Sequence, residues 1–398
     1  MTRVLFLTES FHPVLGGGEG HIRELSRRLA AAGLPSSVLT RRIDAAWPAH
    51  ETLDGVRVLR VAPAGRGRRG KYAMVGPVLA ALHRERRAFD VLVVRGTRVL
   101  GLPGLAAARA LGKAVALQPE LNGEMSGEVY TWGTPLHVPG VRRAVGAAVA
   151  CRNLLLRDAD AFVAMSRAIA AELKAAGVGP EKIALLPHGV DTGRFRPASE
   201  AERRALRARL GLAEPALVLT YTGRLLRGKG LETLVEAFAA VAPAEPRAHL
   251  MIVGSGEGQT LSVESELKRL VRERGLESRS TLTGRVDGVA DHLRASDVFV
   301  FPSEFEALGL SLIEASACGL PAIGARTGGI VDVIEDGGSG LLFAPGDAAG
   351  LAEAMRVLLA DPDRRARMGR RAREIALDRF DLDDSVSRYA ALFRELHG

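Results

Sequence analysis

The sequence predicts an α/β protein built from two successive Rossmann-like units, each a doubly wound, mostly parallel sheet facing its neighbour across a cleft. Three observations carry this. The chain opens with a short apolar run, VLFLT (4–8), a loop at Gly16-Gly17-Gly18, and an amphipathic segment, GHIRELSRRLAAAG. Short apolar runs then alternate with helical segments as far as residue 188, the pattern of a helix-covered parallel sheet. The alternation restarts at ALVLTYTGR (216–224). At 398 residues the chain exceeds one ordinary core, so two domains are expected.

In the first helical segment Ile22, Leu25 and Leu29 share one face, and Gly33 is a C-terminal stop. The runs SSVLT (36–40), VRVLRVA (56–62), DVLVVR (90–95), AVALQ (114–118), AFVAMS (161–166) and IALLPH (183–188) read as the strands that follow. PHGVDTGRFRPASEAERRA is rich in turn-formers and charge and reads as the interdomain linker. Beyond it come the helix LETLVEAFAAVA and the strands HLMIVG (249–254), STLTG (280–284), DVFVFPS (297–303), PAIGA (321–325) and GLLF (340–343). The closing stretch has helical spacing at Val386, Tyr389, Leu392, Phe393 and Leu396.

The composition, 47% hydrophobic and 25% charged, is that of a globular chain. The N-terminal apolar run is too short for a signal peptide, and nothing approaches a membrane span, so a soluble or peripheral protein is expected. Cys151 and Cys318 are far apart in apolar or small surroundings and are expected to be buried, reduced thiols of a cytoplasmic protein. Residues 1–196 carry 28 Lys and Arg against 16 Asp and Glu, while residues 197–398 carry 26 against 30. Arg57 to Arg87 holds nine Lys/Arg against Glu85 alone. It is either a solvated arginine-rich loop or the face that meets an anionic partner such as a membrane surface. Nucleic acid is not expected, because Tyr72 is the one aromatic in its basic core.

Three constellations bear on chemistry. TGRLLRGKG (222–230) nearly spells a phosphate-binding P-loop, but Gly230 stands where Ser or Thr would hold magnesium. Arg224 and Lys229 follow a strand end, where α/β folds bind ligands. They suit a diphosphate, or they are an ordinary basic turn. MIVGSGEGQ (251–259) matches a dinucleotide fingerprint only in part and is explained by a close-packed turn. In FPSEFEALGLSLIEASACGLP (301–321), Glu306 falls just before a helix expected from about Leu308 to Ala317, and Glu314 two turns into it. Glu306 either caps that helix or faces a ligand. Eight helical positions leave about 80° of net rotation and about 12 Å of rise, so both acids suit the two ends of one hydroxyl-rich ligand.

These residues resemble a family. Glu306 to Glu314 is similar to the Glu-x7-Glu motif of retaining glycosyltransferases of the GT-B fold, family 4 (glycosyl transferases group 1). GGGEGHIRELSRRLAAAG, AMSRAIAAEL, LPHGVDTGRF, YTGRLLRGKGLETLVEAF, MIVGSGEG and ASDVFVFPSEFEALGLSLIEASACGLPAIGARTGGIVDVIEDGGSGLLF follow in the family's order. The resemblance implies an N-terminal acceptor domain over 1–195, a nucleotide-sugar domain over 196–379, and a last helix, about 380–398, that crosses back onto the first. It implies that Arg224 and Lys229 grip the nucleotide diphosphate, that Glu314 binds the ribose hydroxyls, and that Glu306 contacts the transferred sugar. Backbone amides of Gly309, Leu310 and Ser311 would meet phosphates and sugar, Gly16 and Gly17 the donor phosphate, and Arg285 and Val286 the base.

One position departs from the pattern. Many members carry a histidine after a first-domain strand, near the reacting sugar. Here the segment reads AVALQPELNGEM, and Glu120 or Asn122 is expected to hold the sugar instead. His188 replaces a commoner asparagine and is expected to be a turn residue. The resemblance implies sugar transfer from a nucleotide sugar (NDP-sugar), with retention and without metal or other cofactor, to a saccharide or lipid-linked acceptor. A nucleotide-sugar epimerase and a non-catalytic nucleotide-sugar-binding protein are the alternatives.

Overall fold

The computed structural model describes residues 1–14, 16–65, 68–131, 139–259 and 261–398. The chain divides into two compact units, Met1–His188 with Asp383–Gly398, and Gly189–Leu382.

The first unit carries an eight-stranded sheet. Its strands are β1 (Val4–Leu7), β2 (Ser36–Arg41), β3 (His50–Leu53), β4 (Val56–Val61), β5 (Val91–Arg95), β6 (Ala114–Gln118), β7 (Ala161–Ala164) and β8 (Ile183–Leu185). Their order is β3-β4-β2-β1-β5-β6-β7-β8. β1 pairs in parallel with both β2 and β5 and is fully buried, as a central parallel strand covered on both faces must be. The helix Gly17–Ala31 buries Ile22, Leu25 and Leu29, as its spacing predicts. β3 runs antiparallel to β4 and was not anticipated from the sequence. The signal was there: Asp54-Gly55, both at positive φ (51° and 81°), form the two-residue turn that closes this hairpin.

The helix Leu382–His397 belongs almost wholly to this unit. Val386, Tyr389 and Phe393 are buried, and Phe393 meets Phe6 of β1 edge to face at 6.0 Å. Gly189, inside the expected linker, begins the second unit. The segment expected to continue as linker through Ala205 becomes the helix Glu200–Arg209 at Glu200. Ser199 and Glu202 form a reciprocal capping box there, a four-residue signature legible in the sequence. The two points where the chain changes unit are tied together: Val190 N–H donates to Phe380 O and Leu382 N–H to Val190 O.

The second unit holds a six-stranded parallel sheet of β9 (Leu217–Thr222), β10 (Ala248–Val253), β11 (Ser280–Gly284), β12 (Val298–Phe301), β13 (Ala322–Ala325) and β14 (Gly340–Phe343), in the order β11-β10-β9-β12-β13-β14. The helix Leu231–Val241 packs on Ala348–Ala360, and Leu310–Ala317 on Pro362–Arg379. Among the described residues no helix is long and apolar enough to cross a membrane.

Two expectations are corrected. Cys318 is buried, but Cys151 is exposed. Its helix, Pro139–Leu156, turns Val149, Asn153 and Leu156 inward, and Cys151 lies on the other side. The basic stretch is not one uniform patch. Arg60 on β4 is buried and paired with Glu51, Arg57 pairs with Glu85, and Lys71 pairs with Glu9. Arg66 lies outside the described residues, as do the side chains of Arg68 and Arg69.

The turn after β9 depends on close backbone approach. Gly230, at φ 65°, starts the helix Leu231–Val241, and a Cβ there would lie 2.0 Å from Pro302 O, which leads into the Glu306 loop. Gly230→Ala is therefore expected to destabilise the protein by about 2 kcal/mol or more through left-handed strain and steric conflict. Thermal unfolding of the two proteins checks this.

Candidate functional site

In the second unit the loops after β9 and β12 converge. Glu304 N–H donates to Gly228 O at 3.0 Å, joining the two loops through backbone. Across this junction Lys229 Nζ lies 2.7 Å from Glu306 Oε2, with both side chains largely shielded from water. Shielding makes this pair stronger than a surface ion pair and makes either charge costly without the other. Arg224 is exposed, two residues beyond β9. Both Arg224 and Glu306 act electrostatically on Tyr221, whose buried phenol is pushed well above the ordinary range, chiefly by burial. Its hydroxyl donates to Arg224 O.

The helix that carries Glu314 begins at Leu310, two residues later than the sequence suggests. Gly309 precedes it at φ 96°, a left-handed conformation, and a Cβ would come within 2.9 Å of the Phe301 ring. Its N-cap residue, Gly309, has no side chain to cap it, and Glu306 pairs with Lys229. The first-turn N–H groups of Leu310 and Ser311 thus point out of the helix start, a geometry suited to an anion. Residues 306–309 are not helical, so the eight-residue spacing of the two acids cannot be converted into helical rotation and rise.

Glu314 sits among buried neighbours, Ile313, Ala315 and Cys318. Burial pushes its carboxyl up to about 7, while the charge of Arg194 pulls it down. Arg194 lies in the segment GVDTGRF, where nothing local in the sequence marks its approach to Glu314. Arg373 holds that segment in place by donating to Thr192 O, Phe195 O and Ala317 O, the last at the end of the Glu314 helix. Arg285 is exposed, and Val286 packs against a cluster that includes Leu206, Val218 and Met251. The GSGEG turn is close-packed, as expected: a Cβ on Gly254 would lie 1.8 Å from Gly223 O.

In the first unit Gly16 is extended and stands at the start of the helix that Gly17 opens, again without a side-chain cap. Arg95, the last residue of β5, ion-pairs with Glu120 at 2.9 Å and donates to Gly18 O at 3.0 Å. Glu120 is thereby brought to the glycine loop. Asn122 is half-buried in the same segment as Glu120. Glu124, fully buried, accepts from the N–H groups of Thr97, Glu120 and Leu121, and Glu172 from those of Gly123, Met125 and Ser126. Two carboxylates thus shape the loop and a third, Glu120, is left half-open. His188 is not a simple turn residue. It is buried and stacks on His21 at 3.7 Å, and Gln118 bridges it to Tyr389. Among the described residues no three His, Cys, Asp or Glu side chains gather as a metal site.

Glu314 has a linkage consequence. Its carboxyl titrates near 7 when folded and near 4.5 otherwise, so the folded state holds a proton the unfolded chain has released between those values. Raising pH through that window costs stability. Glu314→Gln is expected to raise the unfolding temperature of the ligand-free protein at pH 8 by roughly 3 °C or more and to change it little at pH 4.5. Thermal unfolding at the two pH values reads the difference.

Residues 202–375 match the family model for glycosyl transferases group 1, and residues 16–189 that for a glycosyl transferase 4-like domain. The chain is 32% identical to the D-inositol 3-phosphate glycosyltransferase of Geodermatophilus obscurus over 87% of its own length and 78% of the relative's. Among solved structures it resembles sucrose-phosphate synthase from Thermosynechococcus elongatus, with a TM-score of 0.85, 26% identity and coverage of 100% and 99% of the two chains. It shares the fold of Anabaena HepE in complex with UDP-glucose, with a TM-score of 0.79, 23% identity and coverage of 99% and 100%. Two parallel-sheet units, the paired Lys229 and Glu306, and these matches lead to one conclusion: the chain belongs to the group 1 glycosyltransferases of the GT-B fold.

Proposed function

We propose that this protein is a retaining glycosyltransferase that moves a sugar from a nucleoside-diphosphate sugar to an anionic acceptor, free or lipid-linked. The observation that carries this reading is the shielded Lys229–Glu306 pair beside a helix that starts at a glycine, with Glu314 four residues into that helix. A cation, a glycine helix start and two carboxylates suit a diphosphate with a sugar at each end. On this reading Lys229, Arg224 and the Leu310 and Ser311 amides hold the diphosphate. Glu314 accepts hydrogen bonds from the ribose and Glu306 from the transferred sugar. The relatives named D-inositol 3-phosphate glycosyltransferase support an anionic acceptor, whereas those named glycogen synthase do not. The basic balance of the first half suits such an acceptor, or an anionic membrane surface bearing it.

In the reaction the bond from the anomeric carbon to the diphosphate oxygen breaks while one to the acceptor oxygen forms on the same face. The acceptor's proton passes to the leaving diphosphate. Arg224 and Lys229 stabilise the charge that develops there, which is electrostatic preorganisation and needs no protein nucleophile. Because these two cations meet that charge, turnover is expected to survive chelation by EDTA. Loss of activity on chelation with recovery on adding magnesium would contradict this.

A thermal-shift screen against UDP, GDP, ADP and dTDP and their sugars tests the donor site. One nucleotide should raise the unfolding temperature selectively. At about 100 times its dissociation constant it adds roughly 2.7 kcal/mol. Glu306 engages Lys229 in competition with a bound phosphate, so Glu306→Gln should leave nucleotide affinity intact or tighten it. Its turnover should fall about 100-fold or more. A variant that loses nucleotide affinity and turnover together would remove Glu306 from the sugar. Full turnover without any acceptor, giving an isomeric NDP-sugar, would instead identify an epimerase.

A further inference from the structure

Arg95 has no place in the chemistry so far. It ends β5, a central strand, and its side chain is 2% exposed. A guanidinium that deep is costly unless its hydrogen bonds are met. Two of its nitrogens are engaged: Nη2 on Glu120 Oε1 at 2.9 Å, and Nη1 on the Gly18 carbonyl at 3.0 Å. The side chain it holds is 35% exposed. Glycines stand on two sides of it. A Cβ on Gly18 would stand 3.7 Å from Glu120 Oε1, and one on Gly96 3.7 Å from Oε2. The backbone beneath is held by the N–H bonds of Glu120 and Leu121 to Glu124, which fixes where the Glu120 side chain starts.

We propose that Arg95 is a positioning residue that holds Glu120 as an ionised, oriented hydrogen-bond acceptor beside the glycine start of the first helix. This rests on the reading that Glu120 meets a hydroxyl of the transferred sugar. The pair fits that task. One carboxylate oxygen is anchored, and the other is able to accept a charge-assisted hydrogen bond from a hydroxyl. The electrostatic surroundings give Arg95 work to do. Burial pushes the Glu120 carboxyl up, and the charges of Glu124, Glu19 and Glu9 push the same way, against the pull of Arg95. On its other side Arg95 faces His21, His188 and Tyr389, all buried and uncharged near neutrality, so they leave its charge to Glu120. Arginine and glutamate thus act as one device, 25 positions apart in sequence.

The test uses full-length protein with 13C-labelled glutamate carboxyls, titrated by NMR in the wild type, Arg95→Lys, Arg95→Met and Glu120→Gln. The last variant assigns the Glu120 signal by its disappearance. Arg95→Met should raise the Glu120 midpoint by about one unit or more, a tenfold change in proton affinity, and Arg95→Lys should hold it near the wild-type value. UDP release from UDP-glucose, or from whichever nucleotide sugar stabilises the protein, is then followed against pH. The acidic limb should move up with Arg95→Met and return with Arg95→Lys. An unchanged Glu120 midpoint and an unchanged pH limb, with only a lower unfolding temperature, would reduce Arg95 to a staple between strand and helix and overturn the proposal. If Arg95→Met does not fold, a Glu120 midpoint in Arg95→Lys and the wild type that is as high as an uncompensated buried acid requires would overturn it equally. If the wild type releases nucleotide from no sugar donor, the transferase reading falls, while the titration still decides whether Arg95 governs Glu120.

Discussion

A parallel sheet places the carboxyl ends of its strands along one edge, and nearly every group of chemical interest here follows from that constraint. Arg95 ends β5, and Glu120 follows β6 by two residues. Arg224 follows β9 by two residues, and Glu306 lies five beyond β12. None of these side chains is near another in sequence except through a strand, a turn and a helix. The register of β9 with β12 and of β5 with β6 makes them neighbours. The tight turns at Gly230 and Gly309 then let the connecting loops approach closely enough for side chains to meet.

The second theme is how buried charge is handled. Arg207 is buried, and its guanidinium meets Asp297, which also takes the Val218 amide and Arg203. That cluster is fully matched and reads as scaffold. Lys229–Glu306 and Arg95–Glu120 differ in place: they stand at or beyond the carboxyl ends of strands, whereas Asp297 precedes β12. An ion pair that is shielded yet accessible keeps its geometry while leaving lone pairs or protons for a ligand. Glu314 is different again: burial outweighs its attraction to Arg194, so the protein carries a carboxylate at a cost to its own stability. Within the fold only the charge of Arg194 offsets that cost, and only in part.

Much of the fold could be read in the sequence, because period-2 and period-3.6 patterns are local. STLTG and GLLF coincide with β11 and β14, and the first helix buries the face its leucines mark. The hairpin strand β3 was missed because its polar residues, His50 and Glu51, hide a strand that only the Asp54-Gly55 turn announces. The helix Glu200–Arg209 was missed because a charge-rich segment was read as linker, despite its capping box. Lys229 and Glu306 were singled out separately, yet their pairing was not visible at a separation of 77 residues. Arg95 was hidden more thoroughly: at the end of an apolar strand it looks like a boundary residue, and only the tertiary structure shows it turned inward onto Glu120.

The return of the last helix to the first unit carries a consequence for how the chain is made. Residues 189–382 form the second unit as one continuous stretch, whereas the first lacks Tyr389 and Phe393 until the helix Leu382–His397 exists. Domains ordinarily mature in the order they leave the ribosome. Here that order inverts: the unit synthesised later has all its strands before the earlier one can cover Phe6. Through that interval the nascent first sheet presents an apolar surface, with its central strand waiting for a helix at the far end of the chain.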